Sequence, residues 1–591
     1  MDDIRPGMVG VGRTVFDGTR VEEFKANIIG VLENIIGPHR SLILAKLEGG
    51  PLAHTGVIAG MSGSPVYIDG KLIGAVSYAL GSFSKEPIAG ITPIAEMTDA
   101  ASLNSTRPSA ARVQVEFPLT RESLITAFRK ALNWNRPFTD RPDDARFTGA
   151  ASVAGLGGTQ LGTLLRPIAT PLAMSGFEPD VADLIGGAFQ DQGFIPSGGG
   201  AGGARAGEMP YEGPLKPGDA IGVAFVTGDL QLGGTGTVTH IDGDRVYAFG
   251  HPMYNLGPTE FPMTRAYVYT VLPSLFASMK LSSTGDVIGT FLQDRATTIA
   301  GRLGPGPQLI PLTLTLESDR TLPAKTRTFK FGVVNDQLFT PLMTYATILN
   351  TASSYERQFG TSTFQVRGTA KVKKHDAIAF NNLYSGEQAS MAAAAYIVAP
   401  IAYLVGNDFE KVQLESVDIT LSTAEEPKTA TLERVWLDDP RPRAGRTVPL
   451  KMLLRTYRGD DVVRTLPIEI PSNVSGTLSV LVTDGARLAQ AEQREARTPN
   501  QQRSVDQMIR LLNKGRRNNT LYVKLLGSDA GAVVNGELLS SLPPSVLGVL
   551  ESDRNGGTFN PLHSAAIGEW ELPTEQLVNG SRTITISVSQ N

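Results

Sequence analysis

The chain has 591 residues, enough for three to five domains at roughly 100–200 residues each. Lys and Arg total 54 against 58 Asp and Glu, a formal net charge of −4, so it lacks the basic surplus of a nucleic-acid binder or of a protein held electrostatically on a membrane. With 41% hydrophobic and 19% charged residues it is a folding sequence, and 63 Gly and 38 Pro among many Val, Thr and Ile residues favour short strands joined by tight turns.

Residues 1–100 alternate strand-like runs with Gly-centred turns. GRTVFDGTRVEEFKANIIGVL reads as a hairpin turning near Asp17-Gly18, and PVYIDGKLIGAVSYAL as a hairpin turning at Asp69-Gly70. Residues 101–210 change character. RESLITAFRKALNW (Arg121–Trp134) carries Leu124, Ile125, Phe128 and Leu132 at helical spacing, a second helix is expected after Pro179, and SGGGAGGARAGE (Ser197–Glu208) reads as a linker. Residues 211–310 return to strands, AIGVAFV, GTGTVTHI, RVYAFG and VIGTFL. Residues 311–405 mix strands with an apolar stretch, Met391–Gly406, which is under 18 residues and holds Pro400; it predicts a buried helix and not a membrane span. From about Val412 the strand spacing suggests an immunoglobulin-like sandwich over 406–490, followed by a C-terminal domain over 491–591 that includes the helix SVDQMIRLLNKG. The opening MDDIRPGMVG has neither the basic nor the apolar region of a signal peptide.

Cysteine is absent, which removes disulfides and thiolate chemistry. The six histidines never fall in a metal-binding spacing, so neither metal nor cofactor is expected. The sharpest signal is GMSGSP (Gly60–Pro65). A serine hydroxyl needs a base to take its proton and donors for the developing oxyanion, and glycines let a turn point successive N–H groups into one hole. Ser62 is the expected nucleophile, and the Gly60 and Ser62 N–H groups the expected oxyanion hole. A second signal, GGTGTVTHIDGDRVYAFGHPM (Gly233–Met253), reads as strand, turn, strand, then His251. His54, eight residues before Ser62, is the rival base.

The pattern G-x-S-G-x-P, then a strand, a D-G turn and I-G-A-V-S-Y, resembles the nucleophile region of chymotrypsin-like serine proteases. GMSGSP followed by G-K-x-I-G-A-V is closer still to stage IV sporulation protein B (SpoIVB-type) peptidases, which also carry Met before the nucleophile. The Gly233–Met253 segment is similar to their His segment. The resemblance implies His251 as general base, Ser77, Tyr78 and Ala79 as the strand that pairs with substrate backbone, and an acid as third member. Asp294, 43 residues after His251, is the expected acid; Glu48, the one acidic residue shortly before the serine motif, and a two-residue dyad are the alternatives.

In these families His precedes Ser. Here the order is reversed, so the expected fold is mainly β: a circularly permuted, chymotrypsin-like double β-barrel. Its expected parts are a nucleophile barrel over 1–100, a helical insertion over 101–210, a His-bearing barrel with its helix over 211–405, and C-terminal β-sandwich domains. The implied function is a serine endopeptidase acting on proteins or peptides, self-cleaving as family members can be. It would be extracytoplasmic, periplasmic or secreted, with its signal peptide removed, and its C-terminal domains would meet a cell-envelope partner. The alternative from another class is a catalytically inactive, protease-like scaffold or binding protein. A serine esterase fits less well, because G-x-S-G lacks the strand–elbow–helix context of G-x-S-x-G hydrolases.

Overall fold

The computed structural model describes residues 3–35, 37–80, 86–102, 113, 119–133, 165–189, 193–198, 211, 213–275, 277–318, 325–355, 360–495, 504–527, 531–534, 537–539, 544–550, 559–562 and 565–589. The chain divides into two compact units, Met1–Leu312 with Lys330–Asn350, and Thr313–Phe329 with Thr351–Asn591.

The first unit is built on two closed barrels. In the first, β1 (Val9–Val15), β2 (Val21–Leu32), β3 (Leu42–Glu48), β4 (Ser64–Ile68), β5 (Lys71–Leu80) and β6 (Ile88–Pro93) close in the order β1-β2-β3-β6-β5-β4 and back to β1. Both expected hairpins form. The β4–β5 turn places Asp69 and Gly70 at φ +51° and +76°, the left-handed pair that a tight hairpin turn requires. Alternate residues of β2 and β3 face inward, and Phe24, Ala26, Ile28, Ile43, Ala45 and Leu47 join Val66, Val76 and Ile91 in one buried cluster.

Three further strands, β7 (Leu165–Pro167), β8 (Thr170–Ser175) and β9 (Phe194–Gly198), lie inside the segment expected as a helical insertion, which is therefore not helical throughout: β7 pairs with β5, and β9 pairs with β8. The expected helices appear as α-helices Arg121–Asn133 and Pro179–Phe189. The Gly-rich linker falls, beyond Gly198, outside the described residues.

The second barrel is formed by β10 (Ala220–Gly228), β11 (Gln231–Asp242), β12 (Arg245–Ala248), β13 (Gly257–Leu272), β14 (Met279–Arg295) and β15 (Thr298–Leu303). It closes in the order β10-β13-β14-β15-β12-β11 and back to β10, while β8 lies along the outer part of β11. Two six-stranded closed barrels in succession are the double-barrel architecture of chymotrypsin-like enzymes, with the GMSGSP barrel first in the chain.

In the second unit, strands Ser362–Val372, Ile378–Gly386 and Leu414–Ala424 form an antiparallel sheet. Helix Ala389–Val405 is buried along most of its length despite Pro400. No described helix is long and apolar enough to cross a membrane. Two four-stranded sheets follow, and they share one core containing Leu432, Leu450, Met452, Val480, Val523 and Ile586. This sandwich does not end near residue 490: strand Thr429–Leu437 pairs with Leu577–Asn579, and Gly476–Asp484 with Ser581–Val588. The closing strands come from the chain's last fifteen residues, a long-range pairing that local strand spacing does not report.

Candidate active site

The GMSGSP segment is a compact loop bound into the second barrel. Gly60 and Gly63 have φ +90° and +96°. A Cβ at Gly63 would lie 2.0 Å from the Thr237 carbonyl oxygen and 2.5 Å from the Phe249 nitrogen, so only glycine lets the two barrels' backbones approach this closely. The Thr237 N–H donates to the Ser62 carbonyl (2.9 Å), the Thr237 hydroxyl to the Gly60 carbonyl (3.0 Å) and the Thr239 hydroxyl to the Gly63 carbonyl (2.7 Å). Three carbonyls of the serine loop, those of Gly60, Ser62 and Gly63, thus accept hydrogen bonds from β11.

The two serines of the motif differ in kind. Ser64 Oγ donates to the Met61 carbonyl (2.6 Å) and closes the turn. Ser62 is wholly buried and its hydroxyl has no hydrogen-bond partner. Its N–H also has no partner among the described residues, whereas the Gly60 N–H donates to the Ala169 carbonyl (3.2 Å).

His251 follows a backbone reversal at the end of β12, where Phe249 and Gly250 both take left-handed φ values (+66° and +72°). A buried aromatic in that region is strained. Phe249 is held there by packing: its ring lies where a Cβ of Gly236 would be, 2.5 Å away, and its N–H donates to the Thr237 carbonyl (3.3 Å). The Gly250 carbonyl accepts from Thr92 Oγ1 (2.8 Å) in the first barrel, which leaves Ser77 Oγ to donate to Thr92 Oγ1 (2.6 Å). Gly60, Ser62 and Gly63 on one side, and Phe249 and Gly250 on the other, are therefore tied to the same short stretch of β11 and to the Ser77–Thr92 pair.

His251 itself is buried, and its Nδ1 lies 2.8 Å from the Pro252 carbonyl oxygen. A carbonyl only accepts, so Nδ1 carries the proton and Nε2 keeps its lone pair. Nε2 has no hydrogen-bond partner. Burial pushes the imidazole down to about 4; the Pro252 and Ile168 carbonyls oppose this without overcoming it. The Ile168 carbonyl acts on the ring without meeting hydrogen-bond geometry at Nε2.

Asp294 is buried, and its carboxylate accepts the N–H groups of Met253 (2.8 Å), Tyr254 (2.8 Å) and Leu256 (3.2 Å). It secures the loop that leaves His251 and does not hydrogen-bond the imidazole, whose Nδ1 is taken by Pro252. Glu48 lies exposed at the end of β3, and the rival base His54 is exposed on the short helix Leu52–Thr55, while Ser62 is fully enclosed. His375 sits between Glu410 (3.0 Å) and Asp506 (2.6 Å) in the second unit. Among the described residues no cluster of three His, Asp or Glu residues could hold a metal ion.

Sequence reasoning missed three contributors. Thr235, Thr237 and Thr239 repeat at the period of a strand face, and inward threonines in a Gly-rich strand were the available signal. Lys280 on β14 is buried, its Nζ donates to Thr14 Oγ1 (2.8 Å), and burial pushes its amine down to about 7. Its stem would touch a Cβ at Gly60 at 3.2 Å. The third contributor is the segment Leu165–Thr170. The expected substrate strand is paired with it: Tyr78, Ala79 and Leu80 face Pro167, Arg166 and Leu165 in antiparallel register, and the Ile168 N–H donates to the Ser77 carbonyl (2.9 Å).

Two closed barrels with a buried serine loop and a buried neutral histidine on their shared seam define the chymotrypsin-like class of architecture. Residues 2–96, the whole of the first barrel, match the SpoIVB peptidase S55 family, one of serine peptidases. The match ends before β7, so His251 lies outside it. No curated protein and no solved structure shows significant similarity to the chain.

Proposed function

We propose that the protein is a serine endopeptidase in which Ser62 is the nucleophile and His251 the general base. The observation that supports this reading is that the Ser62 hydroxyl and the lone-pair nitrogen of His251 are each buried without a hydrogen-bond partner, on loops tied to the same stretch of β11. Neither serves packing or a hydrogen bond, and each leaving of a polar group unsatisfied costs about 1–3 kcal/mol. In the proposed reaction Ser62 Oγ bonds to the peptide carbonyl carbon while His251 Nε2 takes the hydroxyl proton. The carbonyl electron pair moves onto oxygen, where the Ser62 and Gly60 N–H groups receive it. Collapse of the adduct breaks the C–N bond as Nε2 returns the proton to the leaving amine, and water repeats the sequence to release the acid. Pro252, not a carboxylate, sets the imidazole tautomer; Asp294 positions His251 through the backbone that follows it. We read the order of the two barrels as a circular permutation, and self-cleavage, an extracytoplasmic location and an envelope partner for the second unit belong to the same proposal.

The test is incubation of wild type, Ser62→Ala and His251→Ala with an unfolded protein substrate, followed by mass spectrometry of the products. Cleavage by wild type alone supports the reading. Undiminished cleavage by Ser62→Ala would overturn it.

A further inference from the structure

The substrate cleft is already filled by the chain itself. β4 pairs with β5 only from Lys71 to Val76, and beyond Val76 the same edge of β5 is taken by β7. This edge, at Ser77–Leu80, is where an extended peptide would add as a strand. Leu165–Pro167 occupies it antiparallel, and Ile168 extends the pairing through its N–H to the Ser77 carbonyl (2.9 Å). The next two carbonyls reach the chemical groups: that of Ile168 acts on the His251 imidazole, and that of Ala169 accepts the Gly60 N–H (3.2 Å). The Ile168 side chain is buried in the first barrel's apolar cluster with Ile58, Met61 and Val76. Pro171 then packs over Gly60, and Thr170 onward departs as β8 along β11.

We propose that Leu165–Thr170 is a built-in, substrate-like inhibitor of the site, resting on the serine peptidase reading above. The register explains why it inhibits. In a bound substrate, the residue whose N–H meets Ser77 would present its own carbonyl to the oxyanion donors. Here Ile168 makes the strand bond, while the carbonyl on Gly60 belongs to Ala169, one residue further on. The Ile168 carbonyl is thereby turned away from the hole that would activate it, so the Ile168–Ala169 bond is held without being cut. The same geometry assigns the substrate class that must displace the segment: an extended peptide with a branched aliphatic residue at the position of Ile168, seated in the pocket bounded by Ile58, Met61 and Val76.

The experiment compares wild type with Ile168→Ala and Pro167→Gly, with folding followed by thermal melting. The first variant empties the apolar seat; the second, at a half-buried position, loosens the strand without touching the core. Two readouts are taken: the rate at which a fluorophosphonate modifies Ser62, and hydrogen exchange of the Ile168 N–H and the 77–80 edge. Faster labelling by roughly tenfold or more in both variants, together with faster exchange, supports the inhibitor. Labelling as fast in wild type as in the variants, or an unprotected Ile168 N–H in wild type, overturns it while leaving Ser62 reactive. Faster exchange with no labelling of any variant would instead sink the peptidase reading and leave the segment as a plain strand, overturning the inhibitor with it by a separable route.

Discussion

Asp294→Asn separates two ways in which an acid can serve a catalytic histidine. In a triad the carboxylate bonds the ring; there, the amide variant keeps its fold and loses about 10⁴-fold in kcat through the wrong tautomer. Here both carboxylate oxygens are committed to backbone, to Met253, Tyr254 and Leu256. An asparagine keeps one acceptor oxygen and turns an NH₂ donor toward at least one of those N–H groups. Hydrogen bonds to a charged acceptor contribute about 1.5–3 kcal/mol each, and an orphaned buried donor adds about 1–3 kcal/mol. Losing one or two of the three contacts should therefore cost about 2–4 kcal/mol of stability. The assay is denaturant unfolding of the first unit within the full chain, read beside kcat/KM on a peptide. Activity should fall together with the unfolding midpoint and recover in part when the loop is stabilised by cooling toward the stability maximum. A variant with wild-type stability and a 10⁴-fold loss of kcat would refute the backbone role and restore Asp294 to the ring.

Ser62→Ala should abolish cleavage and raise stability by about 1 kcal/mol, because it deletes a buried hydroxyl without a partner, whereas Ser64→Ala should keep most activity and lower stability by about 1 kcal/mol; equal effects on thermal melting would contradict this. Thr237→Val with Thr239→Val removes two donors to the serine loop and should lower kcat/KM at least tenfold at about 1 kcal/mol of stability per hydroxyl, measured by steady-state kinetics and melting. Stability should also rise with pH in two windows, since both buried bases bind fewer protons folded than unfolded: from about 4 to 6.5 through His251, and from about 7 to 10.5 through Lys280. The slope should approach about 1.4 kcal/mol per pH unit in each window, and Lys280→Met should flatten the upper one in denaturant titrations across pH.

What was legible in the sequence was local. Asp69-Gly70 marked a hairpin because two successive left-handed residues are needed there, and Leu124, Ile125, Phe128 and Leu132 marked a helix by their period. Ser62 was singled out by the GMSGSP motif ahead of a hairpin, and His251 by its place after a strand–turn–strand unit. What failed to show depended on pairing across long separations. Leu-Arg-Pro-Ile-Ala-Thr-Pro carries two prolines in seven residues and gives no strand signal; its strand character exists only because β5 offers an unpaired edge nearly ninety residues earlier. Asp294 was visible as an acid, but which N–H groups surround it follows from how β13 and β14 pair, with Gly257 facing Asp294.

That division bears on the choice between an enzyme and an inert relic. A scaffold needs the inter-barrel contacts of Gly63, Thr237, Thr239 and Gly250, because these fix the fold, and it would keep them on stability alone. It gains nothing from an enclosed hydroxyl and an enclosed imidazole nitrogen that bond to nothing, nor from Phe249 held at left-handed φ beside them. Each of these costs of order 1–3 kcal/mol, and an alanine at 62 or an apolar residue at 251 would remove part of that cost with little rearrangement. Natural proteins retain such locally unfavourable groups chiefly where function requires them. Buried side-chain atoms without a partner occur elsewhere among the described residues too, at Thr264 and Tyr345 for example; what sets Ser62 and His251 apart is that they lie where Ile168 and Ala169 pass the serine loop and the imidazole. On the inhibitor proposal the extended segment is a cover that a reactive serine requires and that an inert seam would not.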